Sequence, residues 1–363
     1  MKKVQRIDSM YEVLRVVLGI VIAFALCLVI IVLVTGEDGA RDAIYNFAIG
    51  PFTSKRRFAQ VLGRMSTYML VGCGMCFVYA SGRFSVIGEG IINFAPIPML
   101  LLIFATSFGT NIMPGMPKIA NQLLIVVVCA VTGGLVAMIP AIGREKMGAN
   151  ETVTSIILNT VCLYIALWLV RGFMADRDNS FLCTPNYPKN MRFARYWGNT
   201  NLSEGIWVAI IGMIIACVIF YRTRLGVEIR ITGSNPNFAK YCGINTSITP
   251  FMGQVLGGLF AGVGAAVENF GAYDQYQLSM LTNIGMDGLI IAVMARKQPI
   301  YVPFTAFVLA YIRTSAAVLN TNTNIPVELV TMLQAVIVFF VAAEEFLGKS
   351  RQKAIIKAAS ESQ

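Results

Sequence analysis

Apolar runs of bilayer-crossing length, separated by short polar punctuation, make up most of this chain. A helix needs about 20 mostly apolar residues to span a membrane. By that measure roughly ten segments qualify: 16–36, 62–80, 87–108, 121–142, 153–174, 205–222, 249–271, 277–295, 300–319 and 326–347. The pattern predicts an all-α polytopic membrane protein with about ten transmembrane helices. Residues 1–15 form an N-terminal segment, 16–347 a membrane domain and 348–363 a C-terminal tail. The first run exceeds the ~7–15 residues of a signal-peptide core and is expected to be retained.

Charge placement orients the bundle. With the N-terminus inside, the inner loops hold Arg83, then Arg144 and Lys146, then Arg224, Arg230 and Lys240, then Arg296 and Lys297, and the tail holds Lys349, Arg351, Lys353 and Lys357. The outer loops 272–276 and 320–325 hold no Lys or Arg. That alternation follows the positive-inside rule and puts both termini in the cytoplasm. Two outer segments break it: Lys55-Arg56-Arg57, and the loop carrying Arg177, Lys189, Arg192 and Arg195. Residues 42–64 read as an interfacial amphipathic helix that dips Ile44, Phe47, Phe52 and Phe58 into the membrane. Residues 175–204, with Tyr187 and Trp197, read as an ordered outer cap.

Composition narrows the chemistry. Charged residues are 13% of the chain, against about 25% in soluble domains. The net charge of +10 is accounted for by positives at the ends of apolar runs, so no nucleic-acid partner is expected. There is no histidine, the commonest acid–base residue. Cys73-Gly-Met-Cys76 lacks the second ligand pair of a zinc site. No phosphate-binding G-x-x-x-x-G-K-[ST] loop is present. No catalytic residue, metal or cofactor is therefore expected.

Polar residues inside apolar runs are the candidates for function. A charge there costs about 2.5–3.5 kcal/mol and marks a pathway or a pair. Glu89 and Asn93 open the third run, Glu151 and Asn159 the fifth; Glu268 and Asn269 close the seventh, and Asp287 lies within the eighth. Glu89 is read either as a helix cap or as a solute contact. Glu151, beside Asn150, reads as a helix start. Asp287 either pairs with Arg313 or faces solute. Asn93, Asn159 and Asn269 either bond across helices or hydrogen-bond a neutral solute. Charges near helix ends, with amides deeper, favour a neutral solute over an ion. Glu89, Asn93, Asn159, Glu268, Asn269 and Asp287 are thus the candidate solute path. Pro96 and Pro98 interrupt the third run, which is either a discontinuous helix or a proline kink. Gly253, Gly257 and Ala261, with Gly258, Gly262 and Ala266, make two small-residue rows suited to close helix packing.

The polar stretch 223–248 lies between two spans on the cytoplasmic side. Gly233 to Pro236 reads as a turn, with Asn235 as N-cap and Pro236 as first helical residue. The helix over about 237–242 stops at Gly243, and the next begins near Thr249-Pro250. Such an element is either a lever moved by a partner or a plain connector.

The residues TRLGVEIRITGSNPNFAKYCGIN (223–245) resemble the cytoplasmic coupling segment of permeases from ABC importers of the branched-chain amino acid, ribose and nucleoside class. GANETVTSIILN (148–159), LVRGFMADRD (169–178), AGVGAAVENFG (261–271) and GMDGLIIAVMAR (285–296) are similar to segments of the nucleoside branch, which depends on a basic membrane lipoprotein. The resemblance implies a non-catalytic permease in a prokaryotic cell membrane, working with a separate cytoplasmic ATPase, a second permease, an extracytoplasmic solute-binding lipoprotein and membrane lipid. It implies ATPase coupling through Gly233, Asn235, Pro236, Ala239, Lys240 and Gly243, and a nucleoside, with a purine nucleoside favoured, as solute. FSVIGEG (84–90) departs from the family pattern, with Ser85 where an Asn is usual, which bears on the substrate. The alternatives are a stand-alone ion-coupled secondary transporter and an ABC permease for a sugar or amino acid.

Overall fold

The computed structural model describes residues 45–106, 113–176, 179, 181–197, 200–277 and 280–322. The expected spans 16–36 and 326–347, and both termini, lie outside the described residues. Contacts divide the chain into two units, residues 58–310 and residues 1–57 with 311–363.

The helices, in chain order, are α1 (Lys55–Ala80), α2 (Gly88–Phe94), α3 (Ile97–Ala105), α4 (Lys118–Met147), α5 (Glu151–Leu169), α6 (Gly205–Arg222), α7 (Arg224–Ser234), α8 (Pro236–Tyr241), α9 (Ile248–Val267), α10 (Ile284–Met294) and α11 (Val302–Asn322). α5 and α9 each end in a π-helical turn, Val170–Met174 and Glu268–Ala272. Among the described residues seven helical stretches are long and apolar enough to cross a membrane, with α2 and α3 counted as one.

The expected span 277–295 is corrected. Among the described residues there, only the 11 of α10 form an α-helix. At 1.5 Å per residue they reach about 16 Å, half the bilayer core. Residues 280–283 before it are non-helical, and Asn283 enters α10 with φ +61°. The expected amphipathic helix over 42–64 is also corrected. Residues 45–48 are helical, Pro51 sits in the short turn Gly50–Phe52, and α1 begins at Lys55. Phe47 is buried rather than membrane-facing, and Phe52 packs on Tyr311 with ring centroids 5.5 Å apart.

Close backbone approach organises the main unit. α4 and α9 form its most extensive helix pair. They cross at glycines: a Cβ on Gly133 would lie 2.4 Å from the Gly258 carbonyl oxygen, and one on Gly262 would lie 2.2 Å from that of Cys129. The small-residue rows thus serve packing. α1 is mostly buried, with Phe77 stacked on Phe260 and edge-on to Phe220, both at 5.6 Å. α4 to α6 are peripheral. Ile119, Leu123, Val127, Val131, Leu135 and Ile139, every fourth residue of α4, are exposed and form an apolar stripe suited to lipid tails.

Pro96 breaks the α2–α3 stretch without unwinding it. Ala95 and Pro96 keep helical dihedrals, so the interruption is a kink rather than an extended gap. Glycine is absent from the end of α10, yet Arg296 and Lys297 both adopt left-handed φ, +55° and +60°. Such positions cost about 1–3 kcal/mol each and persist only where surroundings impose them.

Candidate functional site

The seven-residue helix α2 is the hub of the buried polar groups. It packs against α4, α5, α9 and α10. Pro96 has no N–H to pair with the Ile92 carbonyl. Asn269, on the π turn after α9, donates its Nδ2 to that oxygen at 3.4 Å and to the Ala265 oxygen at 3.0 Å. The neighbouring Asn93 carbonyl accepts from the Tyr276 hydroxyl at 2.8 Å. Asn93 turns its Nδ2 back to the Glu89 carbonyl at 3.0 Å.

Glu89 caps a helix, but not its own. Its Oε1 accepts from the Asn283 N–H at 2.7 Å and the Thr282 hydroxyl at 3.0 Å, and its Oε2 accepts from the Gly285 N–H at 2.8 Å. A buried carboxylate thus closes the N-terminus of α10, where the helix dipole favours negative charge. The contact requires Gly285, whose Cβ would lie 2.1 Å from the Glu89 nitrogen. Asn159 staples α5 to the same hub. Its Oδ1 accepts from the Gly90 N–H at 2.8 Å, and its Nδ2 donates to the Val86 carbonyl at 3.0 Å. Asp287 accepts from the Tyr68 hydroxyl at 2.5 Å, and Glu268 from the Thr67 hydroxyl at 2.7 Å.

Among the described residues four amide oxygens stay buried without a protein donor: those of Asn93, Asn121, Asn269 and Gln254. Asn269 meets α2 at Ile92, the residue before Asn93. Gln254 donates its Nε2 to Ser85 Oγ at 3.2 Å. Buried acceptors without partners are costly and invite a donor from water or solute. Sequence reasoning missed Gln254, Tyr68 and Tyr276; the amide of Gln254 inside an apolar run was the available signal.

The two ends of the bundle are held differently. On the α4–α5 turn side, Arg83 pairs with Glu145 and lies 3.5 Å from Glu151, which also faces Arg144 at 3.4 Å. Asn150 accepts from the N–H groups of Thr152 and Val153, so Glu151 does sit at a capped helix start. At the other end, residues 183–195 run against the end of α9. Tyr187 N–H donates to the Asp274 carbonyl at 2.9 Å, and Phe193 N–H to that of Phe270 at 3.1 Å. Arg195 donates to the Ala272 carbonyl at 2.9 Å and, with Arg192, pairs with Asp274. Two of the arginines that broke the positive-inside pattern thus gather at the C-terminal end of a helix, where cations are favoured. A cavity of about 410 Å³ opens beside them, lined by Lys118, Lys189, Arg192, Arg195 and one carboxylate, Asp274.

The polar stretch shows its cap as expected and its turn as a helix. α7 runs to Ser234, leaving Asn235 as the one residue between α7 and α8. Asn235 Oδ1 accepts from the Phe238 N–H at 3.0 Å, Pro236 opens α8, and Gly243 follows with φ +75°. Ala239 is buried and roots the helix, while Phe238 and Tyr241 are 53% and 92% exposed. Lys240 is exposed beside them.

A family model described as branched-chain amino acid transport system / permease component matches residues 57–342. The nucleoside ABC transporter permease protein NupB of Lactococcus lactis subsp. cremoris (strain MG1363) is 29% identical, over 78% of this chain and 86% of its own. The glucose ABC transporter permease protein TsgB13 of Haloferax volcanii is 24% identical, over 85% and 82%. The guanosine ABC transporter permease protein NupP of Bacillus subtilis (strain 168) is 23% identical, over 89% and 92%.

Two predictions follow from this geometry. Replacing Glu89 by Ala leaves three donors at the head of α10 unpaired, at about 1–3 kcal/mol each. The Glu89→Ala protein is expected to unfold at clearly lower temperature in detergent, while Glu228→Ala, whose partner Arg224 is exposed, changes it less. The second concerns Glu204, which accepts from Lys118, Gln122 and the Ala194 N–H. Burial pushes its pKa up, but these hydrogen bonds outweigh burial and hold the carboxyl below its ordinary value of 4.5. A depressed value in the folded state means stabilisation present above pH 4.5 and lost as pH falls through the folded value. Thermal midpoints of native protein should therefore drop more steeply than those of Glu204→Gln as pH is lowered through that window.

Proposed function

We propose that this chain, which belongs to the branched-chain amino acid transport system / permease component family, is the membrane-spanning subunit of an ATP-driven importer for a small neutral polar solute, foremost a purine nucleoside. It is an ABC transporter permease, a multi-pass membrane protein. Relatives whose names specify nucleoside or guanosine stand beside one that specifies glucose, and the spare amide oxygens of Asn93 and Asn269 suit the donor groups of either solute. The nucleoside reading rests on the nucleoside-branch segments 148–159 and 285–296.

The observation that carries the importer reading is α8. A six-residue helix is capped by Asn235, rooted by buried Ala239 and tipped by two exposed aromatics. Exposed Phe and Tyr on a short rigid element form a binding surface rather than a connector. In this mechanism a cytoplasmic ATPase grips Phe238, Lys240 and Tyr241 and moves α8 as nucleotide closes it. A second permease, identical or homologous, completes the path. The outer cavity with its four cations receives an acidic surface of the solute-binding lipoprotein, which releases solute above the Asn93–Asn269 layer.

The test is co-purification in mild detergent. Native protein is expected to bring down an ATPase with a phosphate-binding loop, and an Ala239→Arg, Gly243→Arg double variant to lose it while keeping its size-exclusion profile. Equal recovery of the ATPase by both proteins would refute the role given to α8.

A further inference from the structure

Beside the polar stretch, but apart from α8, lies a second cavity of about 450 Å³. Its walls come from the end of α1 (Tyr79, Ala80), the end of α6 (Phe220, Tyr221), α7 (Arg230) and the turn between α10 and α11 (Arg296, Lys297). Three cations line it and no carboxylate does. The cations are held in place. Arg230 lies over the Phe220 and Tyr221 rings at 5.3 and 5.6 Å and donates its Nε to the Gly226 carbonyl. Tyr221 donates its hydroxyl to Gln298 Oε1 at 3.3 Å, tying α6 to the turn.

The turn carries the second observation. Arg296 and Lys297 take left-handed backbone with no glycine to ease it. Their N–H groups donate to the Val293 and Ala292 carbonyls, closing the end of α10. Strain of this kind collects where it serves a site. Here it brings two adjacent cations to one cavity wall.

Position selects the ligand. The cavity sits where α1 and α6 end and α11 begins, at the level of a membrane–water boundary. From its edge the exposed apolar residues Ile300, Tyr301 and Phe304 continue onto α11. Cations around a pocket, aromatic rings at the boundary and apolar surface alongside fit a phosphate headgroup with acyl chains beside it. We propose that this cavity binds a phosphate group, supplied by an anionic phospholipid of the leaflet on the α7–α8 side. Because a Cβ on Gly233 would fall 1.9 Å from the Ala80 carbonyl oxygen, the end of α7 rests directly on the cavity wall, and an occupied cavity braces the segment that holds α8.

The experiment is native mass spectrometry of the full chain in detergent, titrated with phosphatidylglycerol, with phosphatidylcholine of the same acyl chains, or with inorganic phosphate. The variant is Arg296→Gly, Lys297→Gly, which removes two charges and accepts the left-handed backbone, so it is expected to unfold no earlier than native protein. Native protein should retain phosphatidylglycerol in preference to phosphatidylcholine, and the variant should lose that preference by about fivefold per cation removed. A phosphate adduct on native protein that the variant lacks, with both lipids retained equally, would support the phosphate site and replace the lipid by a soluble phosphate compound. No difference between native protein and variant in any arm would overturn the proposal. Loss of the co-purifying ATPase with unchanged lipid retention would overturn it too, and assign the cations to a protein contact.

Discussion

A carbonyl freed inside a membrane has no water to turn to, and the centre of this protein is arranged around that constraint. Pro96 withholds one donor, and Asn269 and Tyr276 supply donors to the carbonyls at the break. α10 starts within the bundle with unpaired N–H groups, and the Glu89 carboxylate supplies the acceptors. Asn159 then fastens the start of α2 with both ends of its amide. Asn269, Tyr276, Glu89 and Asn159 each answer a backbone need at a helix break or a helix start. A short kinked helix and a half-length helix can therefore exist side by side where two plain spans would otherwise stand.

Under the proposed function this division separates scaffold from path. Asn159 is engaged by backbone and Glu89 by backbone and Thr282, whereas the amide oxygens of Asn93, Asn121, Asn269 and Gln254 are buried without a protein donor. Under the importer proposal such acceptors would meet the N–H or O–H donors of a solute. Arg192 and Arg195 have a structural role of their own, since Asp274 engages both and the carbonyls of Gly271 and Ala272 engage Arg195.

Much of this was legible in the amino-acid pattern. The run 205–222 coincides with α6, and the cap, proline and glycine of 235–243 specify α8 because local chemistry alone sets them. The run 277–295 misled, because hydropathy records apolar character but not where backbone hydrogen bonding begins. Its residues 280–283 are non-helical. The role of Glu89 was half legible: a carboxylate at a helix start reads as a cap, but its partner, α10, lies some 190 residues away, and only the folded chain brings Gly285 against it. Phe238 and Tyr241 escaped notice because aromatics in a polar stretch look like ordinary anchors until their exposure is known.

The central claim, that a neutral solute meets the Asn93–Asn269 layer while Asn159 only holds the scaffold, is tested most directly by uptake of radiolabelled guanosine into cells carrying the complete transporter with either Asn93→Ala or Asn159→Ala. The account predicts that Asn93→Ala reaches the membrane at the native level with its KM raised about tenfold, the effect of losing one solute hydrogen bond of about 1.4 kcal/mol. It predicts that Asn159→Ala lowers the amount of folded protein and leaves the KM of what remains unchanged. An unaltered KM for Asn93→Ala, together with a raised KM for well-folded Asn159→Ala, would contradict it.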